Sequence, residues 1–333
     1  ARLANTLTHP ALVDGALRAR RAPVVDALRD LIDRHAIDAC LVSDRALLFA
    51  VPALVPDLPV IIDWTDSFVL HGLRNPVWRG LRPAATWRSL RDFTTYVAQE
   101  RYYTRRASAS LVVSPVDKRC LDAIARMPGK TRVLLNGIDM SAAPPQTDRD
   151  PGRLIFTGNM NFPPNYEAAI WFIDEVLPRI VRSRPDVTFV VAGRNPVPEL
   201  QARAGGRVAV LGAVDDMGAE IARSALYVAP LVSGGGFKNK VLEAIAGGTY
   251  LAGTPRAVEF LPPAVRDQLL LGESADELAR QVLGFLGDPA RFNARLPRLR
   301  EVVQREFTWA GRASELLDVI AGLGPRSEKV GAG

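Results

Sequence analysis

The residues best suited to binding chemistry are three consecutive glycines and the charged residues that follow them. An apolar run over residues 225–231 predicts a buried strand, the glycines occupy 234–236, and a helical pattern opens with Lys238 and Lys240. Backbone N–H groups at a glycine turn and at a helix N-terminus are open to an anion. The pattern predicts a phosphate or diphosphate site, with Glu243 positioned to accept hydrogen bonds from a diol such as ribose. The alternative is a plain glycine cap followed by a solvated basic turn.

Composition narrows the class of protein. The 333 residues suffice for two domains, and 48% apolar with 23% charged residues is typical of a globular chain. Cys40 and Cys120 are its only cysteines, which excludes a disulfide framework and favours a reducing, cytoplasmic location. The net charge of +6 suits a phosphorylated ligand, an anionic membrane surface or nucleic acid. Because no nucleic-acid-binding signature accompanies it, we expect no nucleic-acid partner.

Short apolar segments alternate with helical patterns along the chain. The predicted strands are residues 39–42, 58–63, 107–114, 132–135, 153–157, 187–192, 208–211, 225–231, 250–252 and 268–271. The first helix is expected to begin at Pro23. Repeated strand–helix units predict an α/β fold with parallel, doubly wound sheets. Residues 141–152, rich in proline and aspartate, predict a linker between domains at 1–140 and 153–325.

Four glycine-containing turns follow strands in the second half of the chain. Because the carboxyl ends of parallel strands meet at one edge of a sheet, we expect these turns to form a single nucleotide-binding crevice. Residues 193–194 and 212–214 would flank a base, and the glycines with Lys238 or Lys240 would hold phosphates. The candidate binding residues are Gly158, Asn159, Arg194, Val214, Gly234, Gly235, Gly236, Lys238, Lys240 and Glu243.

The first half offers a weaker set of candidates. Asp63 and Asp66 end the second predicted strand, where a substrate would bind, although Asp66 could instead cap the following helix. His71 is a lone histidine in a turn-like setting. Residues 71–106 interleave arginines with aromatic residues, which suits either an anionic membrane surface or a helical pair that packs its aromatics inward.

Several of these motifs together resemble a known family. Residues 156–161 (FTGNMN), 234–247 (GGGFKNKVLEAIAG) and 307–309 (FTW) resemble the C-terminal domain of GT-B glycosyltransferases, in particular the retaining family 4. Residues 135–139 (LNGID) are similar to the segment that connects the two domains of those enzymes. Residues 63–67 (DWTDS) resemble a stretch of an exopolysaccharide-type branch.

The resemblance implies two Rossmann-like domains that face each other across a cleft, and a specific reaction. A sugar would pass from a nucleotide diphosphate sugar to an acceptor hydroxyl with retention of configuration, with no metal ion and no other cofactor. Glu243 would bind the donor ribose, Lys240 would stabilise the diphosphate, and Asp66 or His71 would orient the acceptor. The acceptor could be a carbohydrate, a lipid-linked molecule or a natural product, and a lipid-linked acceptor would place the protein at the inner face of the membrane.

Two departures from the family pattern leave other functions open. Gly235 stands where the family commonly has a glutamate that contacts the donor sugar, and no opening strand precedes Pro23. We therefore expect the N-terminal domain to be incomplete. A nucleotide-sugar 2-epimerase would share the architecture, and a non-catalytic nucleotide-sugar-binding subunit would share the donor site.

Overall fold

The computed structural model describes residues 15–74, 83–139 and 149–324, with the side chains of 15–20 and 83–91 excepted. Its contacts divide the chain into two units. The first comprises Ala1–Leu135, Gly235–Phe237 and Arg312–Gly333, and the second comprises Asn136–Gly234 and Lys238–Gly311. Most of the predicted linker, residues 141–148, lies outside the described residues. No helix in the described ranges is both long and apolar enough to cross a membrane.

The first unit is built on a four-stranded parallel sheet. Its strands, in the order β1-β2-β3-β4, are β1 (Cys40–Val42), β2 (Val60–Asp63), β3 (Ala109–Val112) and β4 (Thr131–Val133). Its helices are α1 (Gly15–Arg34), α2 (Val51–Leu54), α3 (Phe68–Arg74), α4 (Pro83–Arg106) and α5 (Pro115–Ala125), with a 3-10 helix at Arg45–Ala50.

The central strand of this sheet shows why the unit folds as it does. Val60, Ile61 and Ile62 are all at most 1% exposed, as expected for a β-branched run covered on both faces. Successive side chains point to opposite faces of a strand. Val60 and Ile62 accordingly pack in one apolar cluster with Tyr103, whereas Ile61 belongs to a separate cluster that includes Val319.

The second unit contains a six-stranded parallel sheet. Its strands are β5 (Asp150–Thr157), β6 (Thr188–Ala192), β7 (Val208–Val210), β8 (Ser224–Ala229), β9 (Tyr250–Gly253) and β10 (Leu270–Leu271). They lie in the order β10-β9-β8-β5-β6-β7. The chain therefore builds outward in opposite directions from β5 and β8. Ligands of such sheets bind beyond the carboxyl ends of the strands at this reversal.

The helices that follow β5 along the chain connect or follow the strands of the second sheet, except that most of the last one, from Arg312, belongs to the first unit. They are α6 (Pro163–Trp171), α7 (Leu177–Val181), α8 (Pro198–Gln201), α9 (Met217–Ala222), α10 (Asn239–Ala246), α11 (Pro263–Arg266), α12 (Ala275–Gly287), α13 (Pro289–Asn293), α14 (Leu296–Glu306) and α15 (Trp309–Ala321). A π-helical turn at Phe172–Val176 joins α6 to α7, and a 3-10 helix spans Pro255–Val258.

The α/β fold with parallel sheets is confirmed, and all ten predicted strands are present. The predicted start of the first helix at Pro23 is wrong, because α1 begins at Gly15 and runs through this proline. A proline inside a helix costs about 3 kcal/mol. Packing opposes that cost: Val25 and Leu28 pack against the core, and Ile32 is only 5% exposed. Strand β5 also begins three residues earlier than predicted, since Asp150 pairs with Ser224 before a shift in register.

Replacing a buried leucine of β8 should destabilise the second unit. Leu226 is 0% exposed and pairs with Leu154 and Tyr250. We expect Leu226→Ala to lower the free energy of unfolding by about 2–5 kcal/mol, because it leaves a cavity in a packed core. Urea denaturation would measure this, with Leu211→Ala, at a position 38% exposed, as the control. Equal effects of the two substitutions would contradict the assignment of β8 to the core.

Candidate functional site

The strand ends of the second sheet approach each other unusually closely. The Gly158 amide donates to the Ala192 carbonyl at 3.1 Å, and the Gly193 amide donates to the Gly212 carbonyl at 2.7 Å. A Cβ atom on Gly193, where φ is +145°, would lie 1.7 Å from the Gly158 carbonyl oxygen. No side chain fits there. Glycine at these positions allows the ends of β5 and β6 and the turn after β7 to form one continuous edge.

Lys240, on the first turn of α10, reaches the end of β5. Its Nζ donates to Asn165 Oδ1 at 2.6 Å and lies 4.7 Å from the ring centroid of Phe156. The same asparagine donates from Nδ2 to the Asn159 carbonyl at 3.0 Å. A Cβ on Gly158 would lie 2.7 Å from Lys240 Nζ, so glycine is needed to admit the ammonium group.

The charge of this lysine is only partly neutralised. Burial lowers the pKa of Lys240 to about 7, the Glu243 carboxylate opposes the fall, and Lys238 adds to it. Burial in turn raises the pKa of Glu243, against the effect of Lys240. Among the described residues, Lys240 forms no ion pair, and Asn165 is its hydrogen-bond partner. An anion bound at this strand end would supply the missing counter-charge.

Lys238, the other lysine of the motif, has a different environment. It is 6% exposed, and its Nζ lies 3.7 Å from Glu259 Oε1. Lys238 is the N-cap residue of α10, and its side chain makes no capping hydrogen bond. The N-terminus of α10 is thus not capped by its own N-cap side chain, which is compatible with a helix end that receives an anion.

Glu243 lies one turn along α10 at the rim of a cavity of about 450 Å³. The lining includes Asp139, Asp216, Met217, Asn239, Glu243 and Trp309. The Trp309 side chain is 57% exposed, and its backbone lies so close to Gly137 that a Cβ there would meet it at 2.6 Å. Exposed carboxylate and indole groups around one cavity suit a ligand that carries hydroxyl groups and a flat ring.

The remaining candidates of this unit lie at the same strand ends. The Arg194 carbonyl accepts from the Met160 amide at 2.8 Å, while its side chain is exposed. Val214 is partly buried in the turn after β7. Gly234 has a φ of +87°, and a Cβ there would lie 3.1 Å from Pro164 Cγ. The sheet thus gathers the candidates of the second unit at one edge, and their individual roles remain predictions.

Asp66, Gly235 and Gly236 belong to the first unit. The φ of Gly236 is +71°, and a Cβ on it would lie 3.0 Å from Asp66 Oδ2. The alternative reading of Asp66 as a helix cap is not what the structure shows. Ser67 caps α3 instead, because its Oγ accepts from the Leu70 amide at 3.1 Å.

His71 lies within α3, so the expectation that it sits in a turn is wrong. Its amide donates to the Ser67 carbonyl at 3.0 Å, which is the hydrogen bond of the first helical turn. The side chain is partly buried. Its predicted role in orienting an acceptor remains a prediction.

A buried carboxylate that the sequence analysis did not single out holds the loop after β2. Glu100, 0% exposed on α4, accepts from Ser67 Oγ at 2.8 Å and from the Phe68 amide at 2.7 Å. Arg45 donates to it at 3.4 Å and also lies 3.3 Å above the Phe68 ring. Burial raises the pKa of Glu100, and the bonds from Ser67, Arg45 and the amides oppose this rise.

A second carboxylate supports the same loop. Asp117 Oδ1 accepts from the Ser67 amide at 2.9 Å, and its other oxygen is bonded to Ser114 Oγ. The only sequence signal for this network was the Asp-Ser pair at 66–67, since its acceptors lie 33 and 50 residues further along the chain.

In the described residues, no group of three or more His, Cys, Asp or Glu side chains could hold a metal ion.

Parts of the chain are similar in sequence to known proteins. Residues 151–288 match the model of the family described as glycosyl transferases group 1. The chain is 30% identical over 212 residues to the phosphatidyl-myo-inositol mannosyltransferase of Mycolicibacterium smegmatis. That alignment covers 59% of this chain and 54% of the mannosyltransferase, so the chain spans about half the length of this curated relative.

Solved structures share the fold over most of the chain. Anabaena HepE in complex with UDP-glucose superimposes with a TM-score of 0.67 at 14% identity, covering 96% of this chain and 95% of that one. Sucrose-phosphate synthase from Thermosynechococcus elongatus gives a TM-score of 0.69 at 17% identity, covering 95% and 82%. The chain therefore has the GT-B fold. The resemblance to GT-B glycosyltransferases is confirmed, whereas the retaining family 4 and the exopolysaccharide-type branch remain predictions.

The buried ammonium of Lys240 should make stability depend on pH. Its pKa is about 7 in the folded state and about 10.4 in an unfolded chain, so the unfolded state binds more protons between these values. Stability should accordingly rise from pH 7 to 10. We expect the difference in unfolding free energy between the unmodified protein and Lys240→Met to grow in favour of the unmodified protein over this range. Urea denaturation at several pH values would test this expectation, with Lys118→Met as the control. A difference in unfolding free energy that stays constant from pH 7 to 10 would contradict it.

Proposed function

We propose that the protein is a glycosyltransferase that moves a sugar from a nucleoside diphosphate sugar to an acceptor hydroxyl. The observation that carries the proposal is the position of Lys240. Its ammonium extends from the first turn of α10 to the end of β5, beside the reversal of strand order, and forms no ion pair with a carboxylate of the described residues. A diphosphate bound there would meet this charge and the positive end of the helix dipole.

The chemistry follows from this electrostatic arrangement. When the bond between the anomeric carbon and the diphosphate breaks, negative charge develops on the leaving phosphate. Groups fixed in place before the reaction stabilise that charge most effectively. The hydrogen bond to Asn165 holds Lys240 in place, and the glycines allow the strand ends to pack closely against each other. We propose that these groups stabilise the leaving group without a metal ion or other cofactor.

We further propose that configuration at the anomeric carbon is retained. In a front-face reaction the leaving phosphate can accept the proton of the attacking hydroxyl, so no strong protein base is required. Asp66 and His71 would orient the acceptor. The loop that carries Asp66 is held by Glu100 and Asp117, which makes it a rigid platform for a positioning role.

The relatives suggest the class of donor and acceptor. HepE has been solved with UDP and with UDP-glucose, and the Mycolicibacterium relative is a phosphatidyl-myo-inositol mannosyltransferase. We propose a nucleoside diphosphate hexose as the donor and a carbohydrate, lipid-linked or natural-product acceptor. The exposed arginines at the end of α4, Arg101, Arg105 and Arg106, would suit a lipid-linked acceptor at the inner membrane surface. A 2-epimerase would instead release an altered sugar without any acceptor. A non-catalytic binding subunit would release no product.

Donor binding should depend on Glu243 and Lys240. We expect UDP, GDP or ADP to raise the thermal midpoint, and one of the three to do so at the lowest concentration. Glu243→Ala should remove hydrogen bonds to a charged group, worth about 1.5–3 kcal/mol, and weaken binding about 10- to 150-fold. Glu199→Ala, on the exposed helix α8, is the control. Unchanged affinity in Glu243→Ala would contradict the ribose assignment.

The reaction itself needs a separate test. The protein with the responding nucleotide sugar and a simple glycoside or lipid acceptor should give a product with the anomeric configuration of the donor, as read by NMR. Activity should persist in EDTA. Inversion would contradict retention, and loss of activity in EDTA would contradict a metal-independent reaction. Nucleotide binding without transfer or donor hydrolysis would favour a non-catalytic subunit.

A further inference from the structure

The second unit contains another cavity, of about 480 Å³, at the start of α14. It is lined by Arg149, Asn293, Leu296, Arg300, Glu301 and Gln304, among others. It shares no lining residue with the cavity at Glu243. No motif of the sequence analysis and no step of the proposed reaction involves these residues.

Three polar atoms of this cavity's residues are buried without a hydrogen-bond partner. They are Arg149 Nη1, Asn293 Oδ1 and Arg300 Nε. The Arg149 guanidinium donates from Nη2 to the Gly248 carbonyl, and burial lowers its pKa. Buried polar groups of native proteins almost always have partners, so these three atoms leave hydrogen-bonding capacity beside the cavity.

The charged residues that line the cavity are two arginines, Arg149 and Arg300, and one carboxylate, Glu301, so positive charge is in excess. Arginines elsewhere in this unit that form ion pairs with carboxylates include Arg153, Arg179, Arg184, Arg203 and Arg223. Within the described residues, neither Arg149 nor Arg300 forms an ion pair. The cavity residues Leu296 and Pro297 open α14, whose N-terminus has no side-chain cap. Two guanidinium groups and a helix N-terminus all favour an anion.

We propose that this cavity binds a small phosphate monoester that carries hydroxyl groups, such as a sugar phosphate. The phosphate would accept from Arg149 and Arg300, because guanidinium groups match the geometry of phosphate oxygens. Asn293 Oδ1 requires a hydrogen-bond donor, which a fully ionised anion lacks and a hydroxyl group supplies. Glu301 and Gln304 also line the cavity, where the Glu301 carboxylate would accept from hydroxyl groups of the ligand, and the cavity has room for more than a phosphate group.

Inorganic phosphate and sulfate provide the test in the intact chain. At pH 7 and equal ionic strength, phosphate keeps an O–H donor for Asn293, whereas sulfate has none. We expect phosphate to raise the thermal midpoint in a saturable manner and to bind more tightly than sulfate. Arg300→Gln should weaken phosphate binding at least tenfold, and Asn293→Leu should abolish the preference for phosphate. Arg298→Gln, an exposed arginine of the same helix, should change neither.

The controls separate this cavity from the donor site. Lys240→Met should keep the response to phosphate, since it alters only the strand-end site. Without phosphate, Arg300→Gln should melt at the same temperature as the unmodified protein or higher, because it removes an unsatisfied guanidinium. The proposal is overturned if Arg300→Gln binds phosphate as the unmodified protein does, if Lys240→Met loses the response, or if sulfate and phosphate bind equally.

Discussion

The site in the second unit depends on the close approach of backbone segments at one edge of its sheet. Gly193 leaves no room for a Cβ atom against the Gly158 carbonyl, and Gly158 leaves none against Lys240. A side chain at Gly193 would separate the strand ends, and one at Gly158 would displace the Lys240 and Asn165 side chains. The glycines therefore bring a charged group from α10 into contact with the end of β5, at the point where the strand order reverses. The chemistry that we propose requires this proximity.

Each unit also buries a charged group beside a short helix, and the two environments differ. Glu100 in the first unit is surrounded by donors from Ser67, Phe68 and Arg45, so its charge serves to hold a loop. Lys240 in the second unit contacts one amide oxygen and an aromatic ring, while the charges of Glu243 and Lys238 act on it without a direct ion pair among the described residues. A buried charge that is fully bonded favours rigidity, whereas one that lacks a counter-ion favours a ligand of opposite charge.

Local sequence predicted what local forces determine. The apolar runs predicted all ten strands, and the glycine motif placed Lys240 correctly at the start of a helix. The first helix was predicted, but its start was placed at Pro23 instead of Gly15, because packing of Val25 and Leu28 outweighs a local rule. The contacts of Asn165 with Lys240, of Glu100 with Ser67, and the grouping of Arg149 with Arg300 join residues 33 to 151 positions apart. Spacing along the chain contains no signal for such pairs.

Hydrogen exchange in the presence of UDP or GDP tests the central claim most directly, because it reports where a nucleotide binds without assuming a reaction. We expect slower amide exchange in peptides that cover residues 158–165, 193–214 and 238–246, which form the carboxyl edge of the second sheet and the first turns of α10. Peptides from β10 and α12 serve as internal controls and should not change. Protection confined to other parts of the chain, with nucleotide bound, would contradict the assignment of this edge as the donor site.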